Sequence, residues 1–174
     1  MKGFLRGLFT ILVALGMFSA WAPATASAYQ YYYPEHVIDD LGGDCFLIGT
    51  WDFGTKTCTL TGDLSMEGYG NTVLMINGTG ITLDGDGHTI RVLDWAQGAP
   101  VPEGKGIVLE NASGCTVKNL TIAPISFSVP LMEGIILDAS DSNTIENIRF
   151  ESYRTLIGIQ LRSSDSNTIR NVIG

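Results

Sequence analysis

Five stretches of this chain share one pattern, x-Thr-aliphatic-x-Gly/Asn, and that repeat constrains the fold more than any other feature. They are Cys58-Thr59-Leu60-Thr61-Gly62, Ile81-Thr82-Leu83-Asp84-Gly85, Cys115-Thr116-Val117-Lys118-Asn119, Asn143-Thr144-Ile145-Glu146-Asn147 and Asn167-Thr168-Ile169-Arg170-Asn171. The shared threonines lie 23, 34, 28 and 24 residues apart. Nine residues before the threonine, three units place an apolar residue after glycine: Gly106-Ile107, Gly134-Ile135 and Gly158-Ile159. A further apolar pair follows the motif, as in Leu120-Thr121-Ile122 and Ile148-Arg149-Phe150. Each unit therefore offers three short strands of period two, punctuated by Gly, Asn, Ser and Asp, with no room for an ordinary helix.

One such unit cannot bury its apolar face alone, whereas stacked units bury it coil over coil. The expected fold is all-β: a single-stranded parallel β-helix, or solenoid, of about five coils spaced about 4.8 Å apart. Five aligned units with agreeing flanks favour this over a β-sandwich. Alternation points Leu60, Leu83, Val117, Ile145 and Ile169 inward and the preceding threonines outward. Gly and Asn are expected at the coil corners, where positive φ is needed.

Residues 1–28 have the layout of a signal peptide: Lys2 and Arg6, an apolar run from Leu8 to Trp21, then Ala26-Ser27-Ala28. The competing reading, a retained anchor, meets an apolar run that is short for a bilayer. The division expected is 1–28 signal peptide, 29–57 N-terminal cap segment and 58–174 repeats. No stable membrane span remains after cleavage, and the protein is expected to be secreted, periplasmic or on the cell surface. The whole chain carries 10 basic and 18 acidic residues, a net −8. Loss of Lys2 and Arg6 leaves 8 against 18, or −10, with no basic cluster to neutralise a phosphate backbone, so nucleic acid is not an expected partner.

The glycine-aliphatic-x-Leu…Ser-x-Asn-Thr-Ile-x-Asn unit resembles the parallel β-helix repeats of the pectin-lyase-like superfamily. More narrowly it is similar to right-handed β-helix proteins with NosD-like repeats. The stretch Leu83-Asp84-Gly85-Asp86-Gly87-His88-Thr89-Ile90 resembles the opening coil of that group. The resemblance covers about Cys45 to the end. It implies the right-handed sense, which the crossover rule also favours. It does not choose among lyases, hydrolases, epimerases, adhesins and non-catalytic repeat proteins.

Of the three cysteines beyond the leader, Cys58 and Cys115 share a repeat position two coils apart. That is roughly 9 to 10 Å, beyond disulfide reach. The expected disulfide is therefore Cys45 with Cys58, leaving Cys115 a buried thiol. Asn143 and Asn167, one coil apart, are expected to bond as a short ladder. The file Asp84, Lys118, Glu146 and Arg170 alternates in sign and reads as a self-paired, solvated face.

Asp84, Asp86 and His88 form the densest polar group, able in principle to hold a ligand, although glycine-rich turn formation explains the same residues. No matching carboxylate pair stands in the neighbouring coils, so no catalytic residue is assigned. No metal and no cofactor is expected. Copper handling, which part of the resembled family suggests, would need soft ligands, and Met66, Met75, Met132, His36 and His88 have no ligand spacing. The best candidate for recognition is the surplus loop 94–103 with the bulge 124–130. There Trp95 and Phe127, flanked by Asp94 and Glu103, would make an aromatic platform for a sugar ring unless they fold back over coil edges. Three Asn-x-Ser/Thr triplets begin at Asn77, Asn111 and Asn119, the last expected to point inward.

The function expected is an exported scaffold that binds carbohydrate or another surface polymer without catalysis. The alternative is a polysaccharide lyase, hydrolase or epimerase whose catalytic coils lie beyond residue 174. Because the last unit stops within its third strand, further coils or a capping chain are expected at that edge.

Overall fold

The computed structural model describes residues 34–65, 72–92, 104–125, 132–151 and 156–174. All lie in one unit, Tyr31–Gly174. The leader 1–28, the loop with Asp94, Trp95 and Glu103, and Phe127 lie outside the described residues.

The described residues form thirteen strands and one short helix: β1 (Pro34–Asp39), α1 (Cys45–Ile48), β2 (Gly49–Asp52), β3 (Thr57–Leu60), β4 (Leu64–Ser65), β5 (Thr72–Asn77), β6 (Thr82–Asp84), β7 (Thr89–Val92), β8 (Gly104–Glu110), β9 (Thr116–Pro124), β10 (Met132–Asp138), β11 (Thr144–Phe150), β12 (Leu156–Arg162) and β13 (Thr168–Ile173). They wind into two stacks. One sheet has the order β1-β5-β8-β10-β12, parallel throughout; the other runs β13-β11-β9-β6-β3-β2. Among the described residues only β2 breaks the parallel rule, pairing antiparallel with β3 at the end of its sheet. The last three rungs, β8–β9, β10–β11 and β12–β13, are regular full coils. The earlier ones are shorter and interrupted, so the solenoid has about three regular turns, slightly fewer than the five units suggest.

The predicted columns exist. Thr82, Thr116, Thr144 and Thr168 are stacked partners, as are Leu83, Val117, Ile145 and Ile169. Ile107, Leu109, Ile122, Ile135, Leu137 and Ile148 join Leu83, Val117 and Ile145 to form a continuous core along the axis, whereas Ile169, on the terminal strand, is exposed. The first unit departs from expectation: Thr57 stacks on Thr82, and Cys58 on Leu83, a slip of two residues from the motif alignment. A slip of two leaves every side chain on its own face, so hydrophobic alternation is blind to it. Cys58 is thus not in register with Cys115.

Three further details replace the sequence expectations. The second and third strands of a unit are not separated in β9 and β11. They join through one left-handed residue, Asn119 (φ 55°) and Asn147 (φ 54°), which Asn171 (φ 51°) repeats in β13. Gly106, Gly134 and Gly158 are not corner residues. They sit within strands, where a Cβ on Gly134 would stand 2.3 Å from the Phe150 ring and 2.6 Å from the Gly158 carbonyl oxygen. These glycines make room for core rings and close coils. The buried asparagines bond not to each other's side chains but to neighbouring backbone. Asn143 Oδ1 accepts from the Cys115 N–H (2.8 Å), its Nδ2 donates to the Ala112 carbonyl (3.2 Å), and the Asn143 N–H donates to Asn167 Oδ1 (2.8 Å). A side-chain ladder does form one column away. Asn171 donates to Asn147 and Asn147 to Asn119, which is therefore half-buried in the ladder rather than pointed into the core.

Cys45 and Cys58 form a disulfide with Cα atoms 5.8 Å apart, stapling α1 and the β2–β3 hairpin over the first rung. Cys115 is a buried free thiol; burial pushes its pKa up, and it donates to the Gly78 carbonyl. At the other end, β12 and β13 are the terminal strands of their sheets, and Leu161, Ile169 and Ile173 are exposed.

Candidate functional site

The file beside the threonine column carries alternating charge because each coil contributes one outward residue to it. Asp84 stacks on Lys118, Lys118 on Glu146 and Glu146 on Arg170. Lys118 Nζ lies 3.1 Å from Asp84 Oδ2, and the Arg170 guanidinium binds Glu146. The charges are thus satisfied pairwise along the face.

Asp84 is further engaged. Its Oδ1 accepts from the Asp86 N–H (3.1 Å) and from Asn119 Nδ2 (3.1 Å), which makes it the first member of the asparagine ladder. Partial burial is the largest single influence on Asp84 and pushes its pKa up. The hydrogen bonds from Asp86, Asn119 and Lys118 together outweigh it, and the carboxyl ends below its ordinary value. Asp86 occupies a left-handed turn position (φ 46°). His88 turns to a different carboxylate, with Nδ1 3.5 Å from Asp63 Oδ1, while Arg91 approaches the other oxygen of Asp63 at 3.7 Å. The Thr89 N–H and Arg91 hold Asp63 below the usual carboxylate range. Asp84, Asp86 and His88 are therefore close in sequence but divided between two networks. Among the described residues no three His, Cys, Asp or Glu side chains come together as a metal site.

A second polar group lies on the other sheet. Lys105 and Glu133 directly precede Gly106 and Gly134 in β8 and β10. They stack on one another and are 1% and 2% exposed. Lys105 Nζ is 3.8 Å from Glu133 Oε2, and Arg162 from β12 donates to Glu133 Oε1 at 2.7 Å. Arg162 also binds Gln160 Oε1 (2.5 Å). Among the described residues Glu133 Oε2 has no hydrogen-bond donor, only the Lys105 ammonium at 3.8 Å. A carboxylate this buried is costly unless cations surround it, and here two do. The arrangement joins three successive coils.

Sequence reasoning overlooked this trio. Its signal was the residue before the shared glycine, Lys105 in one unit and Glu133 in the next, opposite charges at one repeat position. The platform residues Asp94, Trp95, Glu103 and Phe127 lie outside the described residues, so the site assembled from described side chains consists of the charged file, the Asp63 cluster and the Lys105–Glu133–Arg162 group.

A family model described as "right handed beta helix region" matches residues 59–173, about two thirds of the chain. No curated protein and no solved structure matches it significantly. With the parallel stacks, the repeating register and this match in agreement, the chain belongs to the right-handed β-helix family.

Proposed function

We propose that the chain is an exported β-helix scaffold that binds carbohydrate or another surface polymer without turning it over. The observation that carries this reading is the regular outer file: a threonine recurs in every coil and an ion pair in every second one, so a chain molecule with its own repeat meets a periodic surface. Preformed rungs lose little entropy on binding, which favours affinity from many weak contacts. Export and a surface location are supported by the leader pattern of residues 1–28 and by the disulfide, which suits an oxidising compartment. The exposed Leu161, Ile169 and Ile173 support a further strand layer over the last rung.

A glycan array, read beside reducing-sugar and unsaturated-uronate assays, tests the proposal. Binding without product is expected; product formation that is lost in Asp86→Ala would overturn the non-catalytic reading. A second reading, a polysaccharide lyase, hydrolase or epimerase, is favoured by one observation: a buried carboxylate, Glu133, set between the cations Lys105 and Arg162. Turnover abolished by Glu133→Gln would establish it.

A further inference from the structure

A segment that caps a solenoid ordinarily turns a polar outer face to water, since nothing stacks beyond it. The disulfide-stapled cap formed by residues 34–65 does the opposite. Leu41, Phe46, Leu47 and Phe53 are 75%, 59%, 77% and 69% exposed. They are tied to one support. The Phe46 ring lies 6.0 Å from that of Phe53, and Phe53 stands 6.3 Å edge-on from Trp51. Gly42, next to Leu41, lies against Trp51 so closely that a Cβ there would sit 2.9 Å from the indole. With about 150 to 250 Å² available on each large side chain, the four present on the order of 500 Å² of apolar surface. A monomer rarely leaves that much uncovered without a binding role. It would supply most of the apolar centre of an interface burying about 800 Å² per partner.

Charge says what kind of partner fits. Residues 34–65 hold six carboxylates and one basic side chain; Lys56 pairs with Asp40 at 3.0 Å, and Asp63 is met by His88 and Arg91 from β7 and the turn before it, so the segment stays acidic after both are counted. Asp39 and Asp52, both exposed, flank the apolar residues and face no cation among the described residues; Asp39 accepts from the Leu41 N–H, and Asp52 from the Gly54 N–H and from Thr55. A second copy of this acidic cap, or an anionic lipid surface, would meet like charge, which costs affinity and slows encounter. We infer that the cap is a docking surface for a polypeptide segment bearing aliphatic or aromatic anchors flanked by Lys and Arg. The surface lies on the cap segment, and the inference does not depend on the polymer-binding proposal.

The test uses the full chain and two synthetic peptides with identical Leu and Phe anchors, one flanked by lysines and one by glutamates, followed by fluorescence anisotropy at low and high salt. The lysine-flanked peptide is expected to bind, more weakly as salt rises. Phe46→Ser with Phe53→Ser should lower its affinity at least about tenfold. All replaced side chains are exposed, and an intact Cys45–Cys58 link with an unchanged circular dichroism spectrum confirms folding. Equal binding of both peptides, no binding of the lysine-flanked one, or insensitivity to the double substitution would each overturn the inference. So would concentration-dependent dimerisation in sedimentation equilibrium that the same substitutions abolish, which assigns the patch to a second copy. Binding to neutral phosphatidylcholine vesicles lost in the same variant would overturn it in favour of a lipid surface.

Discussion

Replacing Asn143 with alanine removes two hydrogen bonds from the middle of the stack and leaves their backbone partners where water does not reach. The Cys115 N–H loses Oδ1 at 2.8 Å and the Ala112 carbonyl loses Nδ2 at 3.2 Å, and both residues are buried. Each buried backbone group left unsatisfied costs about 1 to 3 kcal/mol, so the expected loss for the two is roughly 2 to 6 kcal/mol. That is a large fraction of the about 5 to 15 kcal/mol typical of a whole domain. Urea unfolding followed by far-UV circular dichroism should show a lower midpoint with an unchanged slope. The matched control is Asn147→Gly, which breaks the exposed side-chain ladder but keeps the left-handed conformation, and should cost less than about 1 kcal/mol because its partners regain water. Asn143→Asp adds a sign test. Its new carboxylate retains the acceptor but opposes the Ala112 oxygen, so that variant should recover stability as pH falls and the acid becomes a donor. If Asn143→Ala cost no more than Asn147→Gly, the side-chain-to-backbone links between coils would not exist as described.

Breaking the Cys45–Cys58 link, which spans 13 residues, should cost about 3 kcal/mol in thermal unfolding. Mass spectrometry of the unreduced protein should find that pair and a Cys115 thiol that alkylates only on unfolding, as its burial and raised pKa require. Gly134→Ala should destabilise by roughly 1 to 3 kcal/mol, because the Gly158 carbonyl cannot move aside as the Phe150 ring can. Gly62→Ala, with open space around it, should be close to neutral in the same denaturation assay. Asp84 has a folded-state pKa below its unfolded value, so its contribution is present above the unfolded pKa and is lost as pH falls through the folded one. Asp84→Asn should therefore flatten the acid limb of the stability profile, measured by unfolding at successive pH values.

The repeat was legible because alternation and threonine spacing survive in every unit, and so were the inward column, the charged file and the disulfide. What escaped had physical reasons. The two-residue slip of β3 preserves each face and leaves no trace in hydrophobicity. The glycines before Ile107, Ile135 and Ile159 looked like turn residues, whereas the bulk of Ile122 and Phe150 dictates them from another strand. The link between Arg162 and Glu133 was hidden because Arg162 lies five residues along its strand from Ile157, the stacked partner of Glu133, and reaches back through its long side chain. Asp84, Asp86 and His88 are adjacent in sequence, but the turn at Asp86 and the pull of Asp63 on His88 separate them into two networks. No spacing rule conveys where a carboxylate finds its partner three coils into a stack.

The parallel register between coils is the central claim, and backbone NOEs in solution test it most directly. Successive-coil contacts should join Thr116 to Thr144 and Thr144 to Thr168, with matching contacts from Val108 to Ile136 and from Ile136 to Gln160. Close Hα–Hα contacts between β8 and β9, β10 and β11 or β12 and β13, which mark antiparallel hairpins and are expected here only for β2 with β3, would contradict the β-helix.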